Sequence, residues 1–201
     1  MEFTLMTATL TLLGFISGAV PWAVIFTNYL RGKDVRSVGD GNPGATNSFI
    51  VAGWKVGLIT VLFESGKGAL PILIADIIFE LPLGDLAVIA TACILGHAYS
   101  PFLKFHGGKA VAVSAGVWTT ITHGEAFLVA CSLLAICYLI QKNDSWTVVL
   151  SMLIFGGFII LRFPSTELYA LWVMNLILFI IKHRAGLKEG VLFRSWKRRS
   201  S

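Results

Sequence analysis

The apolar positions of this chain run in long blocks instead of recurring at the period of a half-buried helix or strand. The blocks cover residues 3–30, 56–79, 86–103, 110–122, 126–140, 146–161 and 168–181. A perpendicular bilayer crossing takes roughly 17–25 residues. The first three blocks meet that length, while the last four, 13 to 16 residues each, read either as short crossings or as re-entrant pieces. The pattern predicts an all-α polytopic membrane protein, a single membrane-embedded domain over residues 1–201 with seven transmembrane helices; five to six spans plus re-entrant segments is the alternative.

Charge gives the chain a direction. If all seven blocks cross, 14 of the 16 Lys and Arg residues fall on one face: Arg31, Lys33, Arg36, Lys55, Lys104, Lys109, Lys142 and every basic residue from Lys182 onward. Positive loops stay in the cytoplasm, so the expected topology has the N-terminus outside and the C-terminus inside. The tail 182–201 is then a basic cytoplasmic segment whose interspersed apolar residues suit membrane lipids of an anionic leaflet. No basic residue precedes the first block, so it reads as a retained span and not a cleavable signal.

Composition agrees with the block pattern. Charged residues make up 13% and apolar ones 56% of the 201 residues, against about a quarter charged in a soluble domain. This excludes an ordinary soluble, disordered or collagen-like chain. Cys93, Cys131 and Cys137 all lie in apolar blocks without a CxxC pair, so free thiols are expected, with no metal site and no redox role.

Polar chemistry collects on the basic face. Between the first two spans runs Ser37-Val38-Gly39-Asp40-Gly41-Asn42-Pro43-Gly44-Ala45-Thr46-Asn47. Such a stretch is unsuited to regular helix, and its glycines let successive N–H groups point into one anion-binding concavity. Gly39, Gly41 and Gly44 match GxGxxG without a surrounding βαβ unit, and Ala45 stands where a P-loop needs lysine. Nucleotide binding is therefore not expected, nor any nucleic-acid partner; a plain glycine-rich turn is the alternative.

A second cluster, Gly96-His97-Ala98-Tyr99-Ser100-Pro101-Phe102-Leu103-Lys104-Phe105-His106-Gly107-Gly108-Lys109-Ala110, ends one span and begins the next. Gly107 and Gly108 permit close approach to a ligand, and Lys109 supplies a point charge for phosphate. Lys104 and Lys109 also suit positive-inside anchors, and His97 a helix-packing role. The third cluster is Lys182-His183-Arg184-Ala185-Gly186, in which His183 is the best titratable base on this face. Glu64 and Lys67 share one helix face inside an apolar block, either as an ion pair or as an extension of the anion site.

With these residues assembled, the chain resembles the bacterial glycerol-3-phosphate acyltransferases that use acyl phosphate, the PlsY family. SVGDGNPGATN is similar to its first signature, Glu64 to Gly68 to its acidic-x-x-Lys-Gly segment, GHAYSPFLKFHGGKAV to its second and KHR to the start of its third. The resemblance implies acyl transfer from acyl phosphate to the 1-hydroxyl of glycerol 3-phosphate, giving lysophosphatidic acid, at the cytoplasmic face of a bacterial inner membrane. It implies no cofactor, metal or coenzyme A.

The site residues it implies are His183 and Lys109 for catalysis. For substrate and phosphate it implies Ser37, Gly41, Asn42, Gly44, Thr46, Asn47, Lys67, His97, Ser100, Gly107, Gly108, Lys109 and Arg184. The acceptor proton goes either to His183 or to a phosphate of the substrate. An acyltransferase of the HxxxxD type is excluded, since none of His97, His106, His123 and His183 has Asp five positions later.

Four positions depart from the family pattern: Asp40 for a serine, Ile50 for an arginine, His106 for a lysine and Gly186 for an asparagine. A carboxylate facing phosphate at short range is unfavourable. The departures point to compensation by neighbouring cations, to another acceptor, or to a non-catalytic protein that binds lipid precursors. An anion transporter is a further alternative, although only Glu64 and Lys67 lie deep in an apolar block.

Overall fold

The computed structural model describes residues 5–194. Among them are nine α-helices: α1 Leu5–Ala19, α2 Trp22–Arg31, α3 Ala45–Ala52, α4 Trp54–Ile77, α5 Leu83–Ala98, α6 Val111–Ile121, α7 Glu125–Ile140, α8 Asp144–Arg162 and α9 Thr166–Leu187. Five stretches are long and apolar enough to cross a membrane: Leu5–Arg31, Trp54–Ile77, Leu83–Leu103, Asp144–Arg162 and Thr166–Leu187. The helices α6 and α7, at 11 and 16 residues, reach only about 17 and 24 Å along their axes, short of a hydrocarbon core of about 30 Å.

Three expectations change in the structure. The first block is not one continuous helix, because the chain breaks between Ala19 and Trp22 at Pro21, which lacks an N–H and holds the residue before it out of the helical region. Residues 45–47 of the polar stretch are helical: Gly44 is the N-cap of α3, which ends at Gly53 with φ +81°. The segment read as a tail from residue 182 begins inside a helix, because α9 runs on to Leu187. Beyond Leu187 it turns back and pairs with the α7–α8 connection, where Lys142 N–H donates to Leu192 O at 2.7 Å and Arg194 N–H to Ile140 O at 2.8 Å. Residues 195–201 of the predicted basic segment lie outside the described residues.

Two close helix pairs organise the bundle. A Cβ on Gly18 would lie 2.0 Å from Cys93 O, and one on Gly96 would lie 2.1 Å from Phe15 O, so α1 and α5 meet backbone to backbone. The pair α4 and α6 repeats this arrangement, with Gly116 against Ser65 O at 1.9 Å and Gly68 against Val113 O at 2.5 Å. Small residues allow such approach where lipid removes the hydrophobic drive for association. Around these seams the core gathers Ile72, Ile89, Ile94, Val113, Val117 and Ile159, all fully buried. Cys93 and Cys137 are buried and Cys131 is exposed, each a free thiol.

Candidate active site

The break in the first span leaves backbone groups without helical partners, and buried polar side chains take them up. Glu64 Oε1 accepts from Ala23 N–H at 3.2 Å. Lys67 Nζ donates to Val20 O at 2.7 Å, and Ser100 Oγ donates to Ala19 O at 2.6 Å. Glu64 and Lys67 also form an ion pair at 2.6 Å, and His97 Nδ1 lies 3.0 Å from the same carboxylate. Lys67, His97 and Ser100 therefore serve an internal network beneath the loops. With Pro43 and Gly108 they line one small cavity.

His97 links that network to the second glycine segment. Its carbonyl accepts from Gly108 N–H at 3.2 Å. A Cβ on Gly108 would come within 2.2 Å of His97 Nε2, and one on Gly107 within 2.0 Å of His97 O. Read from sequence, these glycines admit a ligand; in the structure the space before them is taken by the end of α5. Lys182 closes the turn from α9 by donating to Ala98 O and, at 3.5 Å, to Gly107 O. Its ammonium also lies 4.6 Å from the Tyr99 ring centroid.

The first glycine segment is organised by Asn47, which is buried at the start of α3. Its Nδ2 lies within hydrogen-bond reach of Val38 O at 3.0 Å, Asp40 Oδ1 at 3.1 Å and Asn42 O at 3.0 Å. Gly39 and Gly41 hold φ of +58° and +72°, where a side chain is strained. The amides expected to form an open nest are partly committed within the loop: Gly41 N–H donates to Val38 O and Gly44 N–H to Asn42 O. Asn42 N–H donates to Asp40 Oδ1 at 3.1 Å. Ser37 is exposed and its hydroxyl donates to Asp34 O; Thr46 and Arg184 are exposed as well.

Three segments distant in sequence converge on Lys109. Asp40 Oδ2 lies 2.7 Å from Lys109 Nζ. Burial acts to raise the Asp40 carboxyl, but Lys109 and the donors Asn42 N–H and Asn47 Nδ2 outweigh it and hold the carboxyl below its ordinary value. His183, buried near the end of α9, feels the charges of both Lys109 and Asp40. Its Nδ1 lies 3.2 Å from Ser145 Oγ, while its Nε2 is buried and makes no hydrogen bond among the described residues.

Ser145 and Asn143 escape the motif reading. They surround Gly186: a Cβ there would lie 2.3 Å from Ser145 Oγ, and Asn143 Nδ2 donates to Gly186 O at 2.7 Å. An asparagine at position 186 would displace Ser145, which gives that departure a physical reason. The available signal was Asn143 ahead of an apolar block, a helix N-cap pattern; its side chain accepts from Ser145 and Trp146 N–H. Ile50 is 61% exposed, with no cation in its place, and His106 is exposed with Nδ1 2.7 Å from Lys104 O.

The polytopic helical bundle thus gathers a glycine loop, a lysine and a histidine at the ends of its helices. The chain matches the glycerol-3-phosphate acyltransferase family over residues 8–191, and it belongs to that family. It is 43% identical to a glycerol-3-phosphate acyltransferase of Myxococcus xanthus over 126 residues, a match spanning 62% of this chain and 65% of the relative, a little under two thirds of its length. It is 35% identical to that of Macrococcus caseolyticus over 183 residues, 90% of this chain and 92% of the relative. The crystal structure of PlsY (YgiH), an integral membrane glycerol 3-phosphate acyltransferase in its glycerol 3-phosphate form, superposes with a TM-score of 0.84 at 26% identity, covering 92% of this chain and 91% of that one. The chain is thus a multi-pass membrane protein of the acyltransferase class.

Proposed function

We propose that the protein transfers a fatty acyl group from an acyl phosphate to the 1-hydroxyl of glycerol 3-phosphate, producing lysophosphatidic acid and inorganic phosphate. The reaction takes place on the cytoplasmic side of a bacterial inner membrane. In this reading the single domain crosses seven times, N-terminus outside, with α6 and α7 as the short crossings and the basic tail facing the cytoplasm. The observation that carries it is the meeting of the Gly39–Asn47 loop, Lys109 and His183, drawn from three separate connections, in a family whose solved relative is a glycerol 3-phosphate form.

An acyl phosphate is a mixed anhydride, so the chemistry needs two anionic groups held together and charge stabilised on the departing phosphate. The acceptor oxygen bonds to the acyl carbon, the bond from that carbon to the bridging oxygen breaks, and phosphate leaves with the electron pair. Lys109 and donors of the loop, with Thr46 in the first turn of α3, are placed to hold phosphate oxygens; Arg184 adds an exposed cation. The acceptor proton passes to His183 Nε2, whose ring is oriented through Nδ1 by Ser145, or to a phosphate oxygen of the substrate.

The acyl chain is assigned to an apolar, half-open depression between α6, α7, α8 and α9. Trp118, Met152, Phe155 and Phe179 are among its lining, and Phe179 packs edge-on to His183 at 6.1 Å.

The test is purified protein in lipid nanodiscs given palmitoyl phosphate and glycerol 3-phosphate, with lysophosphatidic acid measured by mass spectrometry and phosphate release in parallel. Formation of both products, abolished by Lys109→Met, supports the assignment. Phosphate release with another alcohol, and none with glycerol 3-phosphate, would replace the acceptor. No turnover with any alcohol would overturn the enzyme reading.

A further inference from the structure

The geometry points to Asp40 as a resident carboxylate that occupies the phosphate position of the cradle in the free protein and must be exchanged for the phosphate of an incoming substrate. This rests on the reading of Lys109 and the glycine loop as the anion site.

The donors that a phosphate would use already converge on one anion. Lys109 Nζ reaches Asp40 Oδ2 at 2.7 Å, while Asn42 N–H and Asn47 Nδ2 both reach Oδ1 at 3.1 Å. A cation on one oxygen and two N–H donors on the other is the environment of a bound oxyanion, supplied here from within the chain. The carboxylate is also placed to leave. Its side chain is 49% exposed, whereas that of Lys109 is 28% exposed, so Asp40 is the outer partner. Between the flanking glycines at 39 and 41, both at positive φ, the backbone can turn without a neighbouring Cβ in the way.

Exchange has a consequence for affinity. A tethered carboxylate lowers the apparent affinity of each ligand that needs Lys109 by one common factor, set by the fraction of protein in which the cradle is free. Asp40 therefore weakens binding of every anion that uses Lys109 and leaves a ligand that does not use it unaffected. It sets the substrate concentration at which the site fills.

The test uses the full chain in nanodiscs with Asp40→Asn and Asp40→Ser, each checked for folding by thermal melting without ligand. Inorganic phosphate and acetate are titrated by calorimetry, with no acyl donor present. Releasing one partly exposed ion pair with its hydrogen bonds is expected to tighten phosphate binding roughly five- to tenfold. Acetate is expected to gain by a similar factor, and both gains disappear when Lys109→Met is added. In turnover, the KM for the phosphate-bearing substrate falls.

Unchanged or weaker phosphate binding in both variants, or a gain that survives Lys109→Met, overturns the proposal. If one variant does not fold, the other decides. Tighter phosphate binding without lysophosphatidic acid formation leaves this inference standing and removes the acyltransfer reading. Acyl transfer with unchanged phosphate affinity does the opposite.

Discussion

Lys67 reaches across 47 residues to donate to the carbonyl of Val20 at the break of the first span, while its i−3 neighbour Glu64 accepts from the Ala23 amide on the other side of Pro21. One buried ion pair thus serves both sides of a broken transmembrane helix. Removing one partner leaves an uncompensated charge in the bundle, at a cost of about 3–5 kcal/mol. Lys67→Met and Glu64→Gln should each lower the thermal midpoint in detergent markedly. The Lys67→Met/Glu64→Gln double variant should lose less than the sum of the two single losses, as a double-mutant cycle on the midpoints would read out.

The helix seams make a sharper distinction. A side chain at Gly18 or Gly116 collides with backbone, of Cys93 and Ser65 respectively, which cannot rotate away. Gly116→Leu and Gly18→Leu should abolish recovery of folded protein. Gly66→Ala and Gly157→Ala meet nothing within 4 Å, and each should keep its midpoint or gain up to about 1 kcal/mol from helix propensity. Size-exclusion profiles and melting curves separate the two sets.

Ser145 Oγ lies 3.2 Å from His183 Nδ1, so the proposed role of His183 can be tested through it. If His183 accepts the proton, His183→Ala should lower kcat about a hundredfold or more. Ser145→Ala, which frees the ring to adopt other orientations, should lower kcat several-fold with little change in KM. Ser145→Thr, which keeps the hydroxyl, should recover much of it. Equal turnover in His183→Ala and the parent protein would transfer the proton to the substrate phosphate.

Asp40 yields a signed pH prediction. Its carboxyl is held below the ordinary value in the folded protein: burial opposes this, but Lys109 and the loop donors prevail. A depressed carboxylate contributes stability that is fully present above its unfolded pKa and lost as pH falls through its folded one. The difference in stability between the parent and Asp40→Asn should therefore be flat from about pH 5 to 8 and close only below the usual carboxylate range. Parallel melts across that span check it.

Much of the architecture was legible because membrane burial is written locally. Long apolar blocks locate α4, α5, α8 and α9 to within a few residues, and the glycine-rich stretch marks a loop whose Gly39 and Gly41 do take positive φ. Helical spacing put Glu64 and Lys67 on one face with two readings open, and the ion pair is the one seen in the structure. What misled was context. Pro21 was absorbed into an apolar block although it splits the helix. Gly107 and Gly108 also pack tightly on the end of α5, a contact that the motif alone did not reveal.

Taken by itself, the sequence determined that this protein is a helical membrane protein, which of its segments are apolar enough to enter the bilayer, and which residues are candidates for anion binding. Each of these depends on composition, periodicity or motif within a few tens of residues. Only the tertiary structure decided who pairs with whom. It set the Asp40 carboxylate against Lys109, Ser145 against His183 across 38 residues, and Lys67 against the Val20 carbonyl at the break between α1 and α2. Such pairings have no local signature, because they arise from the packing of helices whose order in space is fixed by glycine seams and by the need to satisfy every buried polar group.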